Sequence, residues 1–162
     1  MKIAICPGSF DPVTLGHLDI IERAGELFDK VIVLVMSNSA KKGTSAFSVE
    51  ERIKLLNKCI HQDNVEVDTY SGLLVDYAKQ KNAVAIVKGL RAVSDFDYEF
   101  QQALINKSLY PELETVFLTA KGENMFLSSS MVKEVCRLNG DISSYVPSEI
   151  LNDINSRCKG DN

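Results

Sequence analysis

The stretch Pro7-Gly-Ser-Phe-Asp-Pro-Val-Thr-Leu-Gly-His17 follows an apolar run and places one of the two histidines where a helix is predicted to begin. Gly8 and Ser9 can present backbone N–H groups to an anion, because Gly8 carries no Cβ. Thr14 is placed to cap the helix, so His17 falls in its first turn, at the positive end of the helix dipole. This position indicates a hydrogen-bond donor to phosphate. From this stretch alone, an ordinary polar residue at a helix start remains the open alternative.

A second stretch, Lys88-Gly-Leu-Arg91, brackets a small residue with two cations just after an apolar run. The glycine allows a close approach of the backbone, Arg91 can hold phosphate oxygens with two N–H groups, and Lys88 supplies a mobile charge. The alternative is that the cations pair with acidic residues further along the chain, Asp95, Asp97 and Glu99. We expect such pairing for one of the two cations rather than for both.

Two more segments carry residues that could bind phosphate. Ser128-Ser-Ser130 leads into an amphipathic stretch, and hydroxyls with free N–H groups at a helix start form an anion site, although we expect one of the three serines only to cap the helix. Lys41-Lys42 lies in a loop of small residues, where adjacent lysines are commonly just solvated. Taken together, the four segments predict a pocket for several phosphates, suited to phosphoryl or nucleotidyl transfer.

Other kinds of chemistry and partner are not indicated. The chain shows no Ser–His–Asp or Cys–His spacing, and His17 and His61 are too far apart to form a metal pattern. We therefore predict no metal ligand from the protein. A net charge of −4 argues against non-specific binding to nucleic acid, and no apolar run is long enough to span a membrane. Four scattered cysteines without a leader indicate reduced thiols in the cytoplasm.

These segments must be positioned by alternating strands and helices. Apolar runs predict strands over residues 2–6, 30–36, 65–69, 83–87 and 114–119. Helical spacing and start signals predict helices over residues 16–28, 48–60, 73–81, 94–109 and 131–138, with a last one from Pro147. The fold class is therefore α/β, a doubly wound, five-stranded parallel sheet in a single domain over residues 1–158, with 159–162 as a disordered tail. Ligands bind such sheets beyond the carboxyl ends of the strands, where the predicted loops 7–15, 37–47, 88–93 and 120–130 lie.

The combination of motifs resembles a known family. Thr14-Leu-Gly-His17 resembles the T/H-x-G-H motif of the nucleotidyltransferase superfamily. Together with residues 7–12, 41–42, 88–92, 95–99 and 126–135 it resembles the bacterial phosphopantetheine adenylyltransferases, over essentially the whole chain. The resemblance implies a Rossmann-like nucleotidyltransferase fold and transfer of the adenylyl group of ATP to 4′-phosphopantetheine, which gives 3′-dephospho-coenzyme A and pyrophosphate. It also implies Mg²⁺ as cofactor, a homohexamer and feedback inhibition by coenzyme A.

The same resemblance implies roles for individual residues. His17 would stabilise the transition state, with Lys41 and Arg91 as further catalytic residues. The phosphopantetheine-binding residues would be Ser9, Lys41, Leu74 and Lys88. The ATP-binding residues would be Ser9, Phe10, His17, Gly89, Leu90, Arg91, Glu99, Asn124, Met125, Phe126, Leu127, Ser128, Ser129 and Ser130.

The chain departs from the family pattern at three of these positions. Ser9 stands where many members have Thr and keeps the hydroxyl, whereas Lys88 stands where many have Arg and keeps only the charge. Asn124 stands where an aromatic residue is expected near the adenine.

Two alternatives to this reading stay open. One is a nicotinate-mononucleotide adenylyltransferase or a cytidylyltransferase. The serine run followed by Lys133 argues against this alternative. The other is a nucleotide-binding regulatory protein without catalysis. This alternative is disfavoured by the joint presence of His17, Lys41, Arg91 and the serines.

Overall fold

Parallel strands form one sheet in a computed structural model that describes residues 1–36 and 45–159, apart from the side chains at positions 93 and 94. Within these residues the strands are β1 (Ile3–Gly8), β2 (Lys30–Met36), β3 (Val65–Tyr70), β4 (Ala85–Leu90) and β5 (Glu114–Thr119). Their order across the sheet is β3-β2-β1-β4-β5. The predicted five-stranded, doubly wound parallel sheet is therefore confirmed, and the order of the strands reverses between β1 and β4.

Helices cover both faces of this sheet. In the described ranges they are α1 (Leu15–Leu27), α2 (Val49–Cys59), α3 (Leu74–Gln80), α4 (Val93–Leu109), α5 (Ser129–Arg137) and α6 (Leu151–Cys158), with 3₁₀ turns at Gly122–Asn124 and Ser148–Ile150. Alternate residues of β2 point to opposite faces. Val31 and Val33 join the core beneath α1, α2, α5 and α6, whereas Ile32 and Leu34 join the core beneath α3. Burial on both faces explains why β2 is apolar throughout.

Two strands run further than the sequence predicts. Pro7 and Gly8 continue β1 and pair with Leu34 and Val35 of β2, so the predicted loop over residues 7–15 begins within the sheet. The stretch 88–90, predicted as a loop, forms the last three residues of β4 and pairs with β5. The predictions were wrong because they followed apolar side chains, whereas strand pairing uses backbone groups: every residue, Pro7 included, has a carbonyl, and every non-proline residue has an N–H as well.

Three helices also begin earlier than predicted, α1 by the single residue Leu15, whereas the last helix, predicted from Pro147, is a 3₁₀ turn over Ser148–Ile150 followed by α6. Helix α4 begins at Val93 behind Ala92, which makes no side-chain cap, so the predicted start at Ser94 is wrong. Helix α5 begins at Ser129 rather than at residue 131, which places two of the three serines in its first turn. The predicted tail at 160–162 and the loop carrying Lys41 and Lys42 lie outside the described residues.

Candidate active site

A cavity of about 460 Å³ opens beyond the carboxyl ends of β1 and β4, where the strand order reverses. This is where ligands bind in doubly wound sheets. Its walls come from the first loop, the start of α1, the end of β4, the first turns of α4 and the segment before α5. The lining includes these predicted site residues: Ser9, Phe10, His17, Lys88, Gly89, Arg91, Glu99, Asn124, Leu127, Ser128 and Ser129.

Other predicted residues lie beside the cavity or away from it. Phe126 is exposed and packs edge-on against Tyr145, with ring centroids 5.7 Å apart. Leu74 begins α3 and packs against the core beneath that helix. The remaining residues outside the described lining are Leu90 at the end of β4, exposed Met125 and exposed Ser130. Lys41 lies outside the described residues.

The imidazole of His17 is part of a helix cap. The Thr14 hydroxyl accepts a hydrogen bond from the His17 N–H (3.3 Å), and the Thr14 N–H donates to His17 Nδ1 (3.0 Å). A backbone N–H can only donate, so Nδ1 is the unprotonated nitrogen and the proton of the neutral ring sits on Nε2. The Phe10 ring packs edge-on against the imidazole, with centroids 5.2 Å apart. Both contacts leave Nε2–H available in the cavity.

The surroundings of His17 keep the ring neutral. Burial, followed by the charges of Arg91 and Lys88, lowers the pKa of His17 from 6.5 to about 4. At neutral pH the side chain is thus a hydrogen-bond donor and not a general acid. The helix-start alternative from the sequence is confirmed, since His17 completes the cap of α1, while its role as a donor to phosphate stays a prediction.

Both cations of the second stretch are paired with carboxylates. Lys88 Nζ lies 3.3 Å from Glu99 Oε2, and Arg91 Nε lies 3.1 Å from Asp95 Oδ2. Arg91 Nη1 also donates to the Leu127 carbonyl. The expectation that only one cation would be paired is wrong, because Asp95 and Glu99 lie one turn apart on the same face of α4. That spacing was visible in the sequence, although Asp95 was not predicted as a site residue.

The serines at the start of α5 have separate roles. Ser128 Oγ accepts a hydrogen bond from the Met131 N–H (3.1 Å) and caps the helix, as expected of one serine. Ser129 Oγ donates to the Pro12 carbonyl (2.7 Å) and thereby joins α5 to the first loop. The free N–H groups of the first turn remain as a site for an anion.

Close packing of β4 against α1 fixes the position of His17 relative to the cations. A Cβ at Gly89 would lie 2.9 Å from Ile20 Cγ1 of α1, which a real side chain could not do without a shift. A Cβ at Gly8 would lie 2.9 Å from the Phe10 ring. The two glycines therefore let β4 approach α1 and let Phe10 fold back against β1.

The remaining lining offers no activated thiol. Burial raises the pKa of the Cys6 thiol to about 12 against the opposing charge of Lys88, so it stays protonated, in line with the prediction of a small apolar residue. Among residues 1–36 and 45–159, no three His, Cys, Asp or Glu side chains are placed to hold a metal ion. In the same ranges no helix has the length and apolar character needed to cross a membrane.

A doubly wound sheet with an imidazole, paired cations and a serine-rich helix start lining a cavity at its switch point is the arrangement of a nucleotidyltransferase, and the cytidylyltransferase-like family model matches residues 5–135. The chain is 50% identical over 158 residues to the phosphopantetheine adenylyltransferase of Clostridium perfringens, covering 97% of this chain and 95% of the relative. It is 54% identical over 152 residues to that of Alkaliphilus metalliredigens, covering 93% and 96%. The chain therefore belongs to the cytidylyltransferase-like family and, within it, to the phosphopantetheine adenylyltransferases.

A solved structure shares the fold at lower identity. A putative nicotinate-nucleotide adenylyltransferase from Vibrio parahaemolyticus superposes with a TM-score of 0.69 at 21% identity, over 99% of this chain and 100% of that one. This likeness concerns the fold. The predicted family, fold class and enzyme class are confirmed.

Proposed function

We propose that this protein transfers the adenylyl group of ATP to 4′-phosphopantetheine, giving 3′-dephospho-coenzyme A and pyrophosphate. Membership of the family supports the choice of substrates. The observation that carries the chemistry is the neutral His17, whose Nδ1 is occupied by the helix cap and whose Nε2–H is left in a cavity lined by two cations. Such a group stabilises charge on a phosphate without taking part in covalent bonding.

The reaction is a direct displacement at the α-phosphorus of ATP. An oxygen of the 4′-phosphate forms a bond to this phosphorus, and the bond from the phosphorus to the bridging oxygen of pyrophosphate breaks. No residue forms a covalent intermediate. As negative charge gathers on the α-phosphate oxygens, His17 Nε2–H donates to one of them, and the fixed orientation of the ring means that little reorganisation is needed.

Lys88 and Arg91 neutralise the negative charge of the phosphates of the two substrates. Lys88 holds the phosphate of the acceptor and Arg91 holds that of ATP, each exchanging a carboxylate of α4 for a phosphate oxygen. Glu99 Oε2 is held only by the ion pair with Lys88 at 3.3 Å, without an aligned hydrogen bond, so Glu99 is then free to contact ATP. Lys41 is the third cation and neutralises charge between the two substrates.

The remaining predicted residues bind the body of each substrate. Ser9 orients the attacking phosphate, and the backbone of Ser9 and Phe10 contacts ATP. The start of α5 receives the β- and γ-phosphates through free N–H groups and serine hydroxyls. Leu74 lines the pantetheine arm. The other ATP contacts come from Gly89, Leu90 and residues 124–127.

Mg²⁺ enters bound to ATP as part of the substrate. Among the described residues no three His, Cys, Asp or Glu side chains are placed together to hold a metal ion, so the cavity fits a metal that would be held mainly by phosphate oxygens and water. The ion neutralises charge on the phosphates of ATP. The protein residues do the positioning.

The assembly is a homohexamer, and coenzyme A inhibits it from the same cavity. Helix α4 supports association, because several of its large apolar side chains are exposed: Phe96, Tyr98, Phe100, Leu104, Ile105 and Leu109. Coenzyme A contains both the pantetheine arm and the adenylyl group of the product, so it competes for the sites of both substrates. All four cysteines are free thiols, which suits the cytoplasm.

The test is release of pyrophosphate with purified protein and one pair of substrates at a time. ATP with 4′-phosphopantetheine should give rapid release, while ATP with nicotinate mononucleotide and CTP with glycerol phosphate should give background. Release with either of the last two pairs alone would assign a different acceptor. Binding of ATP without turnover of any pair would indicate a regulatory nucleotide-binding protein.

A further inference from the structure

The first loop, residues 9–12, is held from outside the cavity by side chains of α2 and α5. Arg52 of α2 is 5% exposed, and its Nη1 donates to the Ser9 carbonyl at 2.8 Å. Ser129 of α5 donates to the Pro12 carbonyl at 2.7 Å. Between these two contacts lies Asp11, the most heavily bonded side chain of the loop.

Asp11 is buried and accepts hydrogen bonds from several directions. Its Oδ1 accepts from the Phe47 N–H (2.9 Å), and its Oδ2 accepts from the Ala46 N–H (3.0 Å) and from Lys133 Nζ (2.8 Å). Burial opposes ionisation, but the bonds from Lys133, Ala46 and Phe47 outweigh it and hold the pKa of Asp11 below its ordinary value. The carboxylate is thus charged at neutral pH and fully committed to these partners. It does not line the cavity.

Lys133 reaches Asp11 from the helix whose start faces the phosphates. It lies four residues after Ser129, so both side chains project from one face of α5 toward the first loop. The loop and α5 therefore meet at two points, Lys133 to Asp11 and Ser129 to Pro12. The side chains of Lys133 and Asp11 are 17% and 9% exposed. An ion pair buried to this extent resists separation far more than a surface pair does.

We infer that Asp11 and Lys133 are positioning residues, which set the distance between the Ser9 loop and the start of α5 so that the attacking phosphate and the phosphates of ATP are held in line. This inference rests on the proposed function. Ser9 touches the attacking phosphate and α5 receives the phosphates that leave, so the two segments hold opposite sides of the in-line displacement. Loosening the ion pair affects the alignment of the reacting atoms more than the total number of contacts to ATP.

The experiment compares Lys133→Met with Lys133→Arg, which keeps the charge. The matched control is Lys58→Met, which removes the exposed pair of Lys58 with Asp153 (2.9 Å). Steady-state pyrophosphate release with ATP and 4′-phosphopantetheine gives kcat and KM for each variant, and thermal unfolding reports the fold. Asp11→Asn, which keeps an oxygen for the Phe47 N–H, serves if Lys133→Met does not fold.

We expect kcat of Lys133→Met to fall about 10- to 100-fold while KM for ATP changes less than about threefold, as for a misplaced but bound substrate. Lys133→Arg should recover most of the rate, and Lys58→Met should match the wild type. In Lys133→Met the Ala46 and Phe47 amides should exchange hydrogen faster, since their acceptor is loosened.

Three results would overturn the inference. An unchanged kcat in folded Lys133→Met, or in Asp11→Asn used in its place, removes the positioning role. An equal loss in Lys58→Met shows a general effect of charge. A rise in KM for ATP with kcat unchanged shows a binding role instead. The proposed function fails in a different way: if the wild-type protein releases no pyrophosphate from these substrates, the function is refuted, and the inference that rests on it is refuted with it.

Discussion

A single imidazole, that of His17, connects the start of a helix with the predicted chemistry. Its Nδ1 is used by the Thr14 N–H, so the tautomer is fixed by the backbone and not by a carboxylate. Most histidines that act on substrates are oriented by an acidic or carbonyl partner that accepts from one ring nitrogen. Here a donor occupies that nitrogen, which makes the ring a donor toward the cavity.

Replacing His17 by Ala should lower kcat about 100- to 1,000-fold, as loss of one preorganised donor does. ATP should still bind, because the start of α5, Arg91 and Lys88 remain. The measurement is pyrophosphate release together with calorimetric binding of ATP. His61→Ala, at an exposed position, is the matched control and should leave turnover unchanged. Near-normal turnover of His17→Ala would contradict the assigned role.

The protonation of His17 gives a second prediction. Ring signals of the free protein should titrate near pH 4 by NMR and show the proton on Nε2 above that pH. The unfolded chain takes up this proton near pH 6.5, so the folded state loses stability as the pH falls from 6.5 toward 4. His17→Gln should flatten the unfolding free energy in this window. A titration near pH 6.5 in the folded protein would contradict the burial argument.

The sequence predicted individual site residues better than it predicted their partners. Thr14 and one serine, Ser128, as caps follow from local spacing, because a cap and its helix are separated by only a few residues. The contacts of Asp11 with Lys133 and of Arg52 with Ser9 join positions 122 and 43 residues apart. Local sequence patterns do not predict contacts between such distant residues. In the sequence, Arg52 cannot be distinguished from the other polar residues of an amphipathic helix.

Contact between β4 and α1 at Gly89 is the element-scale feature that holds the cavity together. Gly89→Ala forces Ile20 and its helix to move, which should lower the unfolding free energy by about 1–3 kcal/mol, as overpacking does. ATP affinity should fall as well, because Gly89 lines the cavity between Lys88 and Arg91. The readouts are chemical denaturation and calorimetry. Gly122→Ala, where a Cβ has no atom within 4 Å, is the control and should behave as the wild type.

The start of α2 provides a change that should affect stability alone. The Ser48 hydroxyl accepts from the Glu51 N–H at 3.2 Å, and Glu51 Oε2 accepts from the Ser48 N–H at 2.8 Å, as the predicted capping box requires. Ser48→Ala should lower the unfolding free energy by about 1 kcal/mol. The rate of pyrophosphate release should stay unchanged. Ser148→Ala, whose hydroxyl makes no helix cap, is the control, and an equal loss there would contradict the capping argument.

Elements were predicted in kind and order, with errors confined to their ends. Strand β2 was predicted without error, because a strand buried on both faces is apolar from end to end. The end of β4 was missed because Lys88 and Gly89 signal a loop by composition, whereas their backbone groups still pair with β5. Polar and apolar side chains determine which residues of a strand are buried. They do not determine where the backbone hydrogen bonds between two strands end.

At the scale of the whole molecule, α4 presents apolar side chains on the outside as well as toward the sheet. Leu104 and Ile105 are 55% and 51% exposed. If a second copy covers them, Leu104→Lys should shift the protein to a smaller species in light scattering. Leu138→Lys changes an isolated exposed leucine after α5 and should leave the mass unchanged. A wild-type protein that is already monomeric would contradict the proposed hexamer.

The pairing of Lys88 with Glu99 and of Arg91 with Asp95 means that the cavity balances its own charge before any ligand arrives. In the proposed reaction, an incoming phosphate replaces a carboxylate instead of meeting a bare cation, and a departing product returns each cation to the carboxylate it left. Each catalytic cycle thus ends in the arrangement from which it started. The affinity of the cavity for anions is a difference between two ionic contacts, which allows tight alignment during transfer together with ready dissociation afterwards.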